Sequence, residues 1–160
     1  MNRILTKLAT ASVAAVTAIG LATTPAQAAT EITAQLEIGF NTGVPAARTI
    51  TLSVHVPMNE YDANGYLIHG GRIQVRFYGS DPGTDQVIYG PITWYRGDHG
   101  LTAGPDGIRL NYTWEVPQGS FLNEDDSFGN RGDEVYINAK FIDGDGGTIS
   151  DDSNIEEGIF

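Results

Sequence analysis

Apolar and polar residues alternate along most of the chain beyond residue 28. In Arg48 to Val56 the apolar positions are Ile50, Leu52, Val54 and Val56, with Thr49, Thr51, Ser53 and His55 between them. Successive side chains of a strand point to opposite faces, so this stretch predicts a half-buried strand. The pattern recurs in Ile32, Ala34, Leu36 and Ile38, and in Ile73, Val75 and Phe77. It returns in Ile108, Leu110, Tyr112, Trp114 and Val116, and in Val135, Ile137, Ala139 and Phe141. Two weaker runs complete the set: Val87 to Tyr95, broken by Gly90-Pro91, and a short one at Thr148 to Ile149. Proline cannot donate to a ladder, so the Gly-Pro break predicts an edge strand or a bulge.

Turn signals separate these runs: Asn41-Thr42-Gly43, Asn64-Gly65, Asp81-Pro82-Gly83, Asp106-Gly107 and Asp143-Gly144. No stretch after residue 28 shows a 3.6-residue period. About seven strands, each with one apolar face, must cover those faces against one another. The predicted class is all-β, a single antiparallel two-sheet sandwich, with a barrel as the runner-up. The segment Gly132-Asp-Glu-Val-Tyr-Ile-Asn-Ala-Lys-Phe-Ile-Asp-Gly-Asp-Gly-Gly-Thr148 resembles the last two strands of bacterial fibronectin-type or immunoglobulin-like extracellular modules. The resemblance implies the sandwich and no particular activity.

The first 28 residues follow a different logic. Arg3 and Lys7 make a basic start, Leu8 to Leu21 is apolar and small, and Pro25 precedes Ala26-Gln27-Ala28. This is the form of a secretory signal peptide with an A-x-A cleavage site. It predicts removal of residues 1–28 and a secreted single domain of residues 29–160. No later segment approaches the ~20 apolar residues that a membrane-spanning helix needs. The chain has no cysteine, so neither disulfides nor thiolate metal sites are available to it.

Charge narrows the partners. The chain carries 9 Lys and Arg against 20 Asp and Glu, a net charge of −11, and loss of Arg3 and Lys7 makes it −13. Such a balance argues against nucleic acid and anionic lipid, both of which call for a basic surface. From Asn123 onward eleven acids face only Arg131 and Lys140.

Asp143, Asp145 and Asp151 form a D-x-D-x5-D array with glycines at 144, 146 and 147. Calcium takes six to eight oxygens, and closely spaced Asp with interleaved Gly supplies carboxylates and flexible carbonyls together. The spacing resembles the third calcium loop of C2 domains. Those domains also place paired Asp in an earlier loop, where this chain has Asp62-Ala-Asn64-Gly65. Asp81 and Asp85, in Asp81-Pro-Gly-Thr-Asp85, join the candidate metal ligands, and Asn123-Glu-Asp-Asp126 is a further acidic loop. Asp-Gly pairs are also ordinary turn formers, which explains each pair separately.

Other motifs carry less. Arg-Gly-Asp occurs at Arg96-Gly97-Asp98 and at Arg131-Gly132-Asp133, both in predicted loops. Trp94 and Trp114 alternate onto inward faces, whereas Tyr78, Tyr95 and Tyr136 alternate outward. No G-x-S-x-G elbow and no HExxH pair accompanies His55, His69 and His99. The sequence therefore points to a secreted, non-enzymatic sandwich that binds calcium through acidic loops at one end and recognises an extracellular protein or glycan. The alternatives are a small secreted hydrolase using carboxylates and His99, and an inhibitor of an extracellular enzyme presenting a loop such as Tyr95 to Pro105.

Overall fold

The alternating segments fold into two stacked antiparallel sheets. A computed structural model describes residues 29–40, 47–80, 84–123 and 132–160. In chain order the elements are β1 (Thr33–Phe40), β2 (Ala47–Pro57), α1 (Glu60–Ile68), β3 (Arg72–Gly79), β4 (Gln86–Trp94), β5 (Leu101–Gly104), β6 (Gly107–Pro117), β7 (Asp133–Ile142), β8 (Thr148–Asp152) and β9 (Glu156–Gly158). One sheet has the order β1-β2-β6-β5, and the other β4-β3-β7-β8, with β9 also paired to β7. This is the ABED and C′CFG arrangement of immunoglobulin-like sandwiches. Both sheets are open paths, so the barrel is excluded.

The inward residues are those the alternation selects. Ile50, Leu52, Val54 and Val56 of β2 face Ile73, Val75 and Phe77 of β3, with Ile108 and Leu110 of β6 and Val135, Ile137, Ala139 and Phe141 of β7 in the same core. The Gly90-Pro91 break lies in an edge strand, and the β3–β4 register shifts between Val75 and Phe77 opposite it. That bond is cis.

Three elements depart from the sequence expectation. Strands β5 and β9 are only four and three residues long, too short to display alternation. The third is α1, and Asn64-Gly65, read as a turn, lies inside it. Ala63 and Leu67 point into the core while Tyr61 and Ile68 point to solvent. Large apolar groups on both sides cancel the helical period.

The tryptophans also divide. Trp94 is buried, but Trp114 is only half-buried. Strand β5 pairs with β6 no further than Leu110, so Tyr112 and Trp114 lie beyond the end of the strand that would cover them. They are lined up with Trp94, Phe77, Phe121 and Tyr89 in one file of aromatic contacts. Trp94→Ala should therefore cost about 3–5 kcal/mol in urea unfolding, the usual range for a buried aromatic. Trp114→Ala should cost clearly less. Equal costs would mean that Trp114 is as enclosed as Trp94.

Candidate functional site

At one end of the sandwich three connections meet: α1 between β2 and β3, the β5–β6 turn, and the β7–β8 turn. Local signals set the helix there. Asn59 is its N-cap, its side-chain oxygen accepting from the Asp62 N–H at 2.9 Å while its amide donates to the Asp62 carboxylate at 2.6 Å. This is a capping pair between the N-cap and the third helical residue. At the other end Gly70, with φ +93°, lets the chain turn so that the Gly71 N–H reaches the Tyr66 carbonyl at 2.8 Å. That is a Schellman stop, for which glycine is the favoured residue.

The helix packs over β5 and β6 and sets the Tyr66 ring edge-on to Phe141 of β7, 5.7 Å between centroids. The β7–β8 turn then closes against the helix terminus. A Cβ at position 144 would collide with the His69 carbonyl oxygen, so Gly144 is what allows the approach. Met58 donates its N–H to Asp106 of the β5–β6 turn at 3.3 Å, and His55 Nε2 meets the same carbonyl at 2.9 Å. Asp106 is ion-paired with Arg109, whose hydrogen bond holds its carboxyl below the ordinary carboxylate range.

Between α1 and the β7–β8 turn lies a cleft of about 1170 Å³, lined by Asn59 to Asp62, Asn64 to Tyr66, Ile68, His69, Gly144 and Asp145. Its chemistry is mixed. Tyr61, 87% exposed, and Ile68, 57% exposed, sit seven residues apart on the outward side of the helix. Around them are the carboxylates of Glu60, Asp62 and Asp145. Burial raises the Tyr66 phenol above its ordinary value of 10, and the negative charges of Asp143, Asp62 and Asp145 raise it further, in that order.

The predicted metal ligands separate. Asp143 and Asp145 share the turn, where one Asp143 carboxylate oxygen accepts from the N–H groups of Asp145 at 3.0 Å and Gly147 at 2.7 Å. Asp143 thus does turn chemistry of the kind its sequence already suggested. Asp151 lies in β8, opposite Ala139, three residues beyond Thr148 and hence about 10 Å along the strand. Asp85 accepts from the Tyr136 hydroxyl at 2.8 Å. Tyr136 lies on β7 seven residues before Asp143, so Asp85 is about 20 Å from the turn. Asp81 and Glu124 to Asp126 lie outside the described residues. Among the described residues no three of His, Asp and Glu are grouped to hold a metal ion.

The remaining candidates are placed as follows. His69 Nδ1 meets the Gly65 carbonyl at 2.8 Å, and the His99 ring packs edge-on to Tyr112. Arg96-Gly97-Asp98 forms a turn in which Asp98 folds back to accept from the Tyr95 N–H at 2.7 Å. The second Arg-Gly-Asp begins at Arg131, outside the described residues. Of the loop Tyr95 to Pro105, Leu101–Gly104 is strand β5. On the outer face of the second sheet Tyr78 and Tyr136 stack on each other, 5.3 Å apart. Burial and then the bond to Asp85 push the Tyr136 phenol upward. Sequence reading missed the helix and its cleft, although Asn59-x-x-Asp62 and Gly70-Gly71 were the available signals.

No family model and no curated protein matches the chain. Among solved structures it is similar to a Bordetella pertussis protein assigned the name ApaA, with 9% sequence identity over 81% of this chain and 94% of that one and a TM-score of 0.44. No helix among the described residues is long and apolar enough to cross a membrane.

The electrostatics of Tyr66 can be measured. A phenol whose folded value is raised contributes stability in full below the unfolded value near 10, and loses it as pH climbs through the folded value. The protein should lose stability in that alkaline window. Asp143→Asn keeps the side-chain acceptor of the turn but removes its charge. Tyrosine-labelled NMR titration should show Tyr66 moving part of the way back toward 10, since burial is the larger cause. An unmoved titration would place the Asp143 charge away from the phenol.

Proposed function

We propose that this chain is an exported, single-domain recognition module without chemistry of its own, and that it meets an extracellular protein through the α1 end of the sandwich. The observation that carries this reading is the outward display of Tyr61 and Ile68 on a helix fixed at both termini and pressed against the core. Aromatic and aliphatic side chains held rigidly in the open are what interface anchors look like, since little entropy is lost when they are covered. The acids around them would form the polar rim. Export rests on the leader-like segment Arg3 to Ala28. The hydrolase alternative finds less support, because His99 meets an aromatic ring and, among the described residues, no carboxylate is hydrogen-bonded to it.

A photo-cross-linking residue placed at Tyr61 tests the surface directly. Added to the culture that secretes the protein, the Tyr61 derivative should form a discrete adduct with another protein. The same group at Val87, also exposed but on β4, should not. Adducts at both positions or at neither would remove the α1 end as the recognition surface.

Calcium belongs to the same proposal as a second reading, favoured by one observation: Asp62 and Asp145 line the same cleft, with Asp143 beside Asp145 in the turn. A cation there would draw on carbonyl oxygens as well as acids, as extracellular sites binding at about 10⁻⁴ to 10⁻³ M do. At ten times the dissociation constant it would add ~1.4 kcal/mol, a shift of a few degrees. Asp145→Asn should abolish that shift. Sodium at matched ionic strength should not reproduce it, and if it does, screening is the whole effect.

A further inference from the structure

Although the chain is strongly acidic, three of its cations are grouped, while Arg96 stands apart in the turn after β4. Arg48 is buried and donates to the Ala47 and Ile159 carbonyls, and Arg109 is paired with Asp106. Arg72, Arg76 and Lys140 all lie on the outer face of the β4-β3-β7-β8 sheet, where Arg72 also donates to the Gly70 carbonyl at 3.3 Å. Inward residues Ile73, Val75 and Phe77 alternate with Arg72, Gln74, Arg76 and Tyr78, and inward Ile137, Ala139 and Phe141 alternate with Tyr136, Asn138, Lys140 and Ile142. Register places Lys140 opposite Gln74, between Arg72 and Arg76. Rows two residues apart are separated by about 6.6 Å and neighbouring strands by about 4.8 Å, so the three cations surround Gln74 as one cluster. Among the described residues none of the three makes an ion pair.

We infer that this sheet face is a binding surface for an anionic polysaccharide, a site separate from the α1 end. Charge complementarity is the first argument. The net charge of the chain opposes a polyanion only weakly at this distance, because ionic screening limits each group's reach to about 8–10 Å. The carboxylates nearest in the register flank the cluster at its Tyr136 end without pairing to it: Asp152 accepts from Asn138 at 2.8 Å, and Asp85 from Tyr136 at 2.8 Å. The second argument is the chemistry between the cations. Gln74, Thr93, Asn138 and Ser150 occupy the outward positions around them. Amides and hydroxyls both donate and accept, which suits a ligand rich in hydroxyls. An acidic peptide would gain most by adding to a sheet edge, and this surface is a face.

Affinity electrophoresis of the purified full chain tests the inference. Gels would contain polygalacturonate, dextran sulfate, neutral dextran or polyglutamate. Retardation is expected in polygalacturonate or dextran sulfate and should weaken as salt rises, because bound cations release counterions. Which of the two retards more identifies carboxylate or sulfate as the anionic group. The triple variant Arg72→Ser, Arg76→Ser, Lys140→Ser should lose roughly tenfold or more in apparent affinity. Single Lys140→Ser, with melting measured alongside, guards against misfolding and should give a partial loss. Retention in neither charged polysaccharide, equal retention in polyglutamate, or retention unchanged in the variants would overturn the inference.

Discussion

The chain must pass from one sheet to the other between β2 and β3 without leaving the apolar end of the sandwich open to water. Both strands carry an unbroken inward column, Ile50 to Val56 on one and Ile73 to Phe77 on the other. Their connection begins at Met58 and ends at Gly71, and α1 fills it as a plug, with Ala63 and Leu67 in the core and Tyr66 against Phe141. Sealing the end this way uses the inner side of the helix. Its outer side, with Tyr61 and Ile68, is left to solvent. The cleft between α1 and the β7–β8 turn is therefore a product of how the core is closed.

Strand alternation was legible because β2, β3 and β7 each bury one face completely and β6 buries part of one, which imposes a period of two on their sequences. The helix was not, since core and solvent both receive apolar side chains from it. Its caps were written plainly in Asn59, Asp62, Gly70 and Gly71, and capping is independent of amphipathicity. Trp114 shows the opposite failure. Alternation assigns it to the inner face correctly, but whether that face is covered depends on the length of β5, a neighbour distant in sequence. The D-x-D-x5-D array spreads out in three dimensions for a geometric reason. Residues 143–147 turn back on themselves while 148–152 extend, so Asp151 travels away from Asp143 and Asp145 along β8.

Edges and charges are arranged with equal economy. Asn154 clamps the exposed β1 strand by accepting from the Leu36 N–H and donating to the Leu36 carbonyl, both at 2.9 Å, so a side-chain amide completes a ladder that no strand provides. Such blunting suppresses edge-to-edge association. Carboxylates crowd the α1 end, whereas Arg72, Arg76 and Lys140 gather on one sheet face beside Asp85 and Asp152. The sequence alone reports only their sum.

The proposed surface depends on α1 being fixed, locked where Gly144 meets the His69 carbonyl. Amide hydrogen exchange of the wild-type chain and Gly144→Ala tests this most directly. In the wild type the N–H groups of Ala63, His69 and Gly71, all bonded within or at the ends of the helix, should be protected. In Gly144→Ala the added methyl should force the turn and helix apart, so these three exchange faster while the amides of β2, β3, β6 and β7 keep their protection. Unchanged protection of α1 in the variant would contradict the lock, and with it the claim that this end is a preformed surface.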